Sequence, residues 1–191
     1  FYPVVRGRFV GVNDELVNNE ITKEDEDRPQ DTRQGLGREA NLTWSSQLQK
    51  ANIVKEGTWH GDWKPTSDDA LYPVSVEEGV AQRLNIKLGD VLTFNIGSEE
   101  VKTEVTSMRE VDWQTMQPNF FFVLHPDVME GFRGTYLTSF HLDESRKPEL
   151  TELMQPFSSI TMFDVDARIN QLRDIVEQVS MAVEFILVLV L

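Results

Sequence analysis

Ser75-Val76-Glu77-Glu78-Gly79-Val80-Ala81-Gln82-Arg83-Leu84-Asn85-Ile86-Lys87-Leu88-Gly89-Asp90-Val91-Leu92-Thr93-Phe94-Asn95-Ile96 reads as a helix, a turn and a strand in succession. Ser75 followed three residues later by Glu78 fits a capping box, in which the serine hydroxyl accepts from the third helical amide and the glutamate reaches back. Val76, Val80, Ala81 and Leu84 then fall on one helical face. Gly89-Asp90 turns the chain, and Leu92, Phe94 and Ile96 alternate with polar residues as a half-buried strand does. Gly97-Ser98 returns it into a second strand, Val101 to Val111. This order of elements predicts an α+β fold.

Working outward, Val4 to Val12 reads as a strand, with Asn13-Asp14 as the hairpin tip before Leu16-Val17. Glu20 to Glu39 is polar and rich in breakers, and its run Glu24-Asp25-Glu26-Asp27 lacks the spaced ligands and turn glycine of a calcium loop. A solvated loop is expected there. Asn119 to Leu124 is continuously apolar between Pro118 and Pro126, the pattern of a strand covered on both faces. Tyr136 to Leu142 alternates as a strand, Ser145 to Met154 has a helical pattern, and Ser159 to Val165 reads as a strand, together a β-α-β unit.

From Asp164 onward there is no glycine or proline, and apolar residues fall at Val165, Ile169, Leu172, Val176, Val179, Val183, Ile186 and Val190. Spacings alternating between four and three make a heptad seam. Polarity fades toward the end, where Phe185 to Leu191 is wholly apolar. Seven helical residues rise only about 10 Å of the roughly 30 Å that a bilayer core requires. The expectation is a stalk helix over 166–191 that packs along a neighbouring helix and enters a membrane span. The competing reading is an amphipathic helix folded onto its own sheet. The opening Phe1-Tyr2-Pro3-Val4-Val5 has neither an initiator methionine nor a signal-peptide pattern, which predicts a start inside a longer protein.

The 191 residues could bury roughly 70% of their unfolded surface, so a substantial core is available without staples. Against 32 acidic residues stand 18 basic ones, a net charge of −14, which argues against nucleic acid and against adhesion to anionic lipid by charge. The absence of cysteine excludes thiol catalysis, disulfides and Cys-ligated zinc. His60, His125 and His141 stand in separate segments outside any His-x-x-x-His pattern, and no phosphate-binding glycine loop occurs. No catalytic residue, metal ligand or cofactor is therefore assigned.

Trp44, Trp59 and Trp63 gather around Gly57-Thr58-Trp59-His60-Gly61-Asp62-Trp63, a segment read as packing or a partner surface. His60 and Asp62 invite a hydrolase dyad, but there is no G-x-S-x-G nucleophile elbow. A lipid- or glycan-binding groove lined by the tryptophans is a further alternative. Asn41-Leu42-Thr43 matches a glycosylation acceptor, a pattern too common to carry weight.

Val76 to Phe94 resembles the helix-Gly-Asp-strand segment in extracytoplasmic domains of MacB/FtsX-type ABC transporter permeases. Val111-Asp112-Trp113, Pro118 to Val123 and Thr135 to Phe140 are similar, more specifically, to the large YbbP-like permeases of that family, as are Asn41 to Trp44 and Gln178 to Phe185. The resemblance implies a periplasmic domain held between membrane helices of a bacterial inner-membrane permease. It implies a non-enzymatic domain that relays motion driven by a separate cytoplasmic ATP-binding subunit and docks a substrate or partner protein. For the YbbP-like branch the resemblance implies a periplasmic esterase or another periplasmic protein as that partner, and the apolar C-terminal end is expected to meet membrane lipid. By the same resemblance, 1–12 and 135–165 form a porter-like β-α-β part and 39–134 a mainly β, sabre-like part. The stalk helix and first β-α that precede the first strand in that family are absent here, which leaves the porter part short of them.

Overall fold

The computed structural model describes residues 1–13, 15–16, 39–67, 69–115, 117–157, 159–167 and 175–181. Strands dominate and helices are few, as an α+β chain requires. Two units separate at Phe140 and His141.

In the first unit β1 (Tyr2–Val12) turns at Asn13 and pairs with the short β2 (Glu15–Leu16), so the expected hairpin is present. Asn13 occupies the left-handed region, φ 50°, which asparagine tolerates better than most residues. β3 (Glu39–Trp44) and β4 (Asn52–Gly57) follow. Then come β5 (Tyr72–Glu77), α1 (Glu78–Leu84), β6 (Val91–Ile96), β7 (Glu99–Val111), β8 (Phe122–Leu124) and β9 (Thr135–Leu137). Ladders run from β1 to β3, β8, β5, β7, β6 and back to β1, so six strands close into a barrel. The β3–β8 and β5–β7 pairs are parallel and the rest of the ring antiparallel. β2 and β9 extend β1, and β4 extends β7.

A barrel of this size is filled by its own side chains. Phe9, Phe94 and Phe122 meet there with ring centroids 5.2–5.4 Å apart, surrounded by Leu42, Val74, Val76, Leu92, Val105 and Leu124. Val80, Ala81 and Leu84 of α1, with Ile86, join the same core. Burying one such phenylalanine is worth roughly 1.5–3 kcal/mol.

The Gly-Asp turn is a junction. Gly89, at φ 83°, donates its N–H to the Val105 carbonyl at 2.8 Å, and Val105 N–H returns a bond to the Asp90 carbonyl at 2.9 Å. Asp90 Oδ2 accepts from Lys87 N–H at 2.7 Å, just past the end of α1. Gly57 closes β4 at φ 75°; a Cβ there would stand 2.1 Å from the Thr106 carbonyl oxygen.

Several expectations are corrected. α1 begins at Glu78, not at Val76: Ser75 and Val76 lie in β5, laddered to Ser107 and Met108, and the cap is Glu77, whose Oε2 accepts from Val80 N–H at 2.7 Å. Sheet pairing on both sides of Ser75 outcompetes its capping tendency. Only Phe122–Leu124 of the 119–124 run is strand, because a buried arginine takes the carbonyls of Phe120 and Phe121. Strand structure ends at Leu137, with Tyr136 exposed, and His141 is exposed beyond it. Residues 159–164 form no strand, so the expected β-α-β ladder is absent among the described residues. A strand needs a neighbour to ladder with.

In the second unit, α2 (Lys147–Met154) matches the helix expected over Ser145 to Met154. Asp164 bonds Lys147 Nζ at 2.9 Å and accepts from Ala167 N–H at 3.0 Å, capping a helical stretch at 165–167. A second helical stretch covers 175–181. Of the long stalk helix expected from Val165, only these two stretches fall within the described residues. Ile169, Leu172, Val183, Ile186 and Val190 lie outside the described residues, as do Glu24 to Asp27.

Candidate docking surface

Strand β7 carries Arg109 into the interior, fully buried. Its Nη2 donates to the Phe120 carbonyl and Nη1 to the Phe121 carbonyl at 3.5 Å, while Nε has no partner among the described residues. Burial lowers the guanidinium to about 10, still charged at neutral pH, with Glu77 acting against the shift. A buried cation is costly unless its donors are occupied. Here the occupants are backbone carbonyls of the segment that leads into β8.

That segment is held at further points. Asn119 Nδ2 donates to the Asp112 carbonyl at 3.0 Å, Asn52 Nδ2 donates to Asn119 Oδ1 at 3.3 Å, and Asp112 Oδ1 accepts from Gln114 N–H at 2.9 Å. Phe120 turns inward against Tyr2, centroids 6.2 Å apart. Phe121 turns outward against Trp113, centroids 5.1 Å apart, and both rings stay open to solvent, 43% and 49% exposed. A fixed loop thus displays a pair of aromatic rings.

Trp44, Trp59 and Trp63 are half-buried instead. Trp44 packs against the barrel core and over Gly134, where a Cβ would stand 2.5 Å from its ring. Trp59 Nε1 donates to the Ser46 carbonyl at 2.9 Å and its ring stacks on His60 at 4.1 Å. Trp63 meets Tyr72 and His125 at 5.4 and 5.3 Å. The structure brings Trp59 and Trp63 into one aromatic-histidine cluster, together with Tyr72, His60 and His125.

His60 is 2% exposed, with Nε2 at 3.0 Å from the Ser45 carbonyl. Burial pushes it down to about 4, past the opposing effect of that bond, so it is neutral at pH 7. Asp62 points to solvent, and no ion pair joins it to His60 among the described residues. His125 caps the short 3₁₀ turn Pro126–Met129, its Nδ1 accepting from Asp127 N–H at 3.3 Å. Three or more metal-ligating side chains do not converge anywhere among the described residues. An open cleft of about 510 Å³ runs between α1 and β4, its rim mixing Lys55, Glu56, Glu78 and Lys87.

Of the seam residues, Val165, Val176 and Val179 are described, and all are exposed, Val176 at 64%. No helix among the described residues is long and apolar enough to cross a membrane. Two residues that matter here carry little signal in the sequence. Arg109 gave no signal, since nothing in an alternating strand marks a charge as interior. Nothing in the sequence around Trp113 marks its ring as the exposed one among the tryptophans.

No family model matches the chain. It is 38% identical over 190 residues to the uncharacterized ABC transporter permease YbbP of Escherichia coli (strain K12). That alignment takes in the whole chain and 21% of the relative, so the chain spans about a fifth of the protein it matches. The resemblance to YbbP-like permeases seen in the motifs holds from end to end.

Proposed function

We propose that this chain, similar along its whole length to one stretch of a YbbP-type ABC transporter permease, is an extracytoplasmic domain of such a permease. Its work is mechanical: it relays ATP-driven motion of the membrane helices to the periplasm and docks a substrate or partner protein there. The observation that carries this reading is the 38% identity over 190 residues. A cytoplasmic ATP-binding subunit supplies the drive, and a periplasmic esterase is the partner implied for the docking face. In this reading the porter-like part (1–12 and 135–165) and the sabre-like part (39–134) share β1, which ladders to β9 and to the barrel strands β3 and β6. The stalk (166–191) then leads to membrane lipid. Exposure of Val165, Val176 and Val179 supports a seam that another helix covers.

Two measurements on the intact permease test the reading. A cysteine placed at exposed Tyr136 in an otherwise cysteine-free permease should react with an impermeant maleimide in cells whose inner membrane is intact. Labelling only after that membrane is opened would overturn the periplasmic placement. Val176→Asp should leave ATP turnover running while transport stops. Transport at the wild-type rate would remove the relay role from the seam.

A further inference from the structure

We infer that the Trp113–Phe121 pair docks the basic face of a protein partner, presenting an arginine or lysine to the two exposed rings. The inference deepens the docking part of the function proposed above and rests on it.

Ring faces attract cations, most strongly on tryptophan. Asp112 precedes Trp113 and exposed Glu110 stands three residues before Trp113, while Glu77, whose carboxylate caps α1, donates its N–H to the Phe121 carbonyl at 2.8 Å. Two cations near the pair are engaged: Arg109 is buried on the carbonyls of Phe120 and Phe121, and Lys55 is paired with Glu110. With the chain at −14, an anionic lipid surface or a second copy of this acidic chain would meet like charge, whereas a basic protein face meets its complement. The rings also need no ordering on binding. Arg109, Asn119 and Asn52 already hold the loop, so a partner finds the site preformed.

The test uses the 191-residue chain, a short Arg/Leu peptide and its Glu/Leu counterpart, with binding read by calorimetry at physiological ionic strength. The Arg peptide should bind and the Glu peptide should not. Trp113→Ala and Phe121→Ala should each weaken binding roughly tenfold, the range expected of an interface hot spot, and Asp112→Asn by less. Tyr136→Ala, an exposed ring elsewhere, should change nothing. Equal binding of both peptides, or a Trp113→Ala chain that binds as wild type, overturns the inference. So does Trp113-dependent dimerisation in sedimentation, or Trp113-dependent binding to phosphatidylglycerol vesicles that exceeds peptide binding. Thermal melts confirm that the variants fold, and Trp113→Leu replaces the alanine if its melt is lowered. Failure here leaves the Val176→Asp result standing, so the two readings fall separately.

Discussion

The side-chain amide of Asn13 donates to Oδ1 of Asp90 at 2.8 Å, tying the tip of the first hairpin to the Gly-Asp turn across 77 residues of sequence. The tie is reciprocal, because Asn13 Oδ1 accepts from Val91 N–H at 2.8 Å and Asn13 N–H donates to the Val91 carbonyl at 2.8 Å. With Lys87 on its other oxygen, Asp90 fixes the end of α1 and the start of β6 against β1. Its task is architectural.

Asp90→Ala should therefore destabilise the chain by about 2 kcal/mol, since a charged acceptor is withdrawn from two donors. Asn13→Ala should cost a comparable amount, with left-handed strain added. A double-mutant cycle by urea unfolding should show about 1 kcal/mol of coupling between them. Strict additivity would mean that the tie contributes nothing.

Arg109→Ala should cost about 4 kcal/mol, because two carbonyls lose their donor and a cavity opens around them. Arg109→Met keeps much of the volume and removes a buried charge, so roughly half that loss is expected. Equal losses for the two variants would place the cost in the lost hydrogen bonds and leave nothing for packing. Near-ultraviolet dichroism should report a changed Trp113 environment in both, because the arginine clamps the neighbouring loop.

The neutral, buried His60 makes stability depend on pH. Its pKa in the fold, about 4, lies below the ordinary 6.5, so between those values the unfolded chain binds the proton and the folded chain does not. Stability is full above about 6.5 and falls as the pH drops toward 4, by an upper bound of about 3 kcal/mol. His60→Gln should flatten that part of the urea-midpoint profile. A profile as steep as wild type's would shift the responsibility to other groups.

Gly57→Ala should be among the most damaging small substitutions, costing more than about 3 kcal/mol. The added methyl meets a backbone oxygen that cannot move aside, and φ 75° is itself unfavourable for alanine. Gly89→Ala at a similar φ meets open space, so strain alone acts and the cost should stay near 1 kcal/mol. Thermal melts of the pair separate collision from strain.

Local patterning made the Gly89-Asp90 turn, the β6–β7 hairpin and α2 legible, because each is decided by neighbours in sequence. The cap of α1 was misplaced by two residues: Ser75 sits between β7 and β8, and those pairings come from residues far along the chain. Closure of the ring was invisible for the same reason, since β6 reaches β1 across more than eighty positions. The aromatic site was half legible. Four tryptophans could be counted, but which one faces solvent depends on Arg109, whose burial contradicts the usual placement of charge.

Tyr2 stands opposite Leu137, so the polypeptide enters and leaves the first unit side by side. Tension applied at those two points falls on the short ladder from Tyr2↔Leu137 to Val4↔Thr135, which opens pair by pair like a zipper drawn from its end. The ring behind it carries none of that strain until the zipper has run out. Under such a load the rim ladder would part while the aromatic interior stays closed.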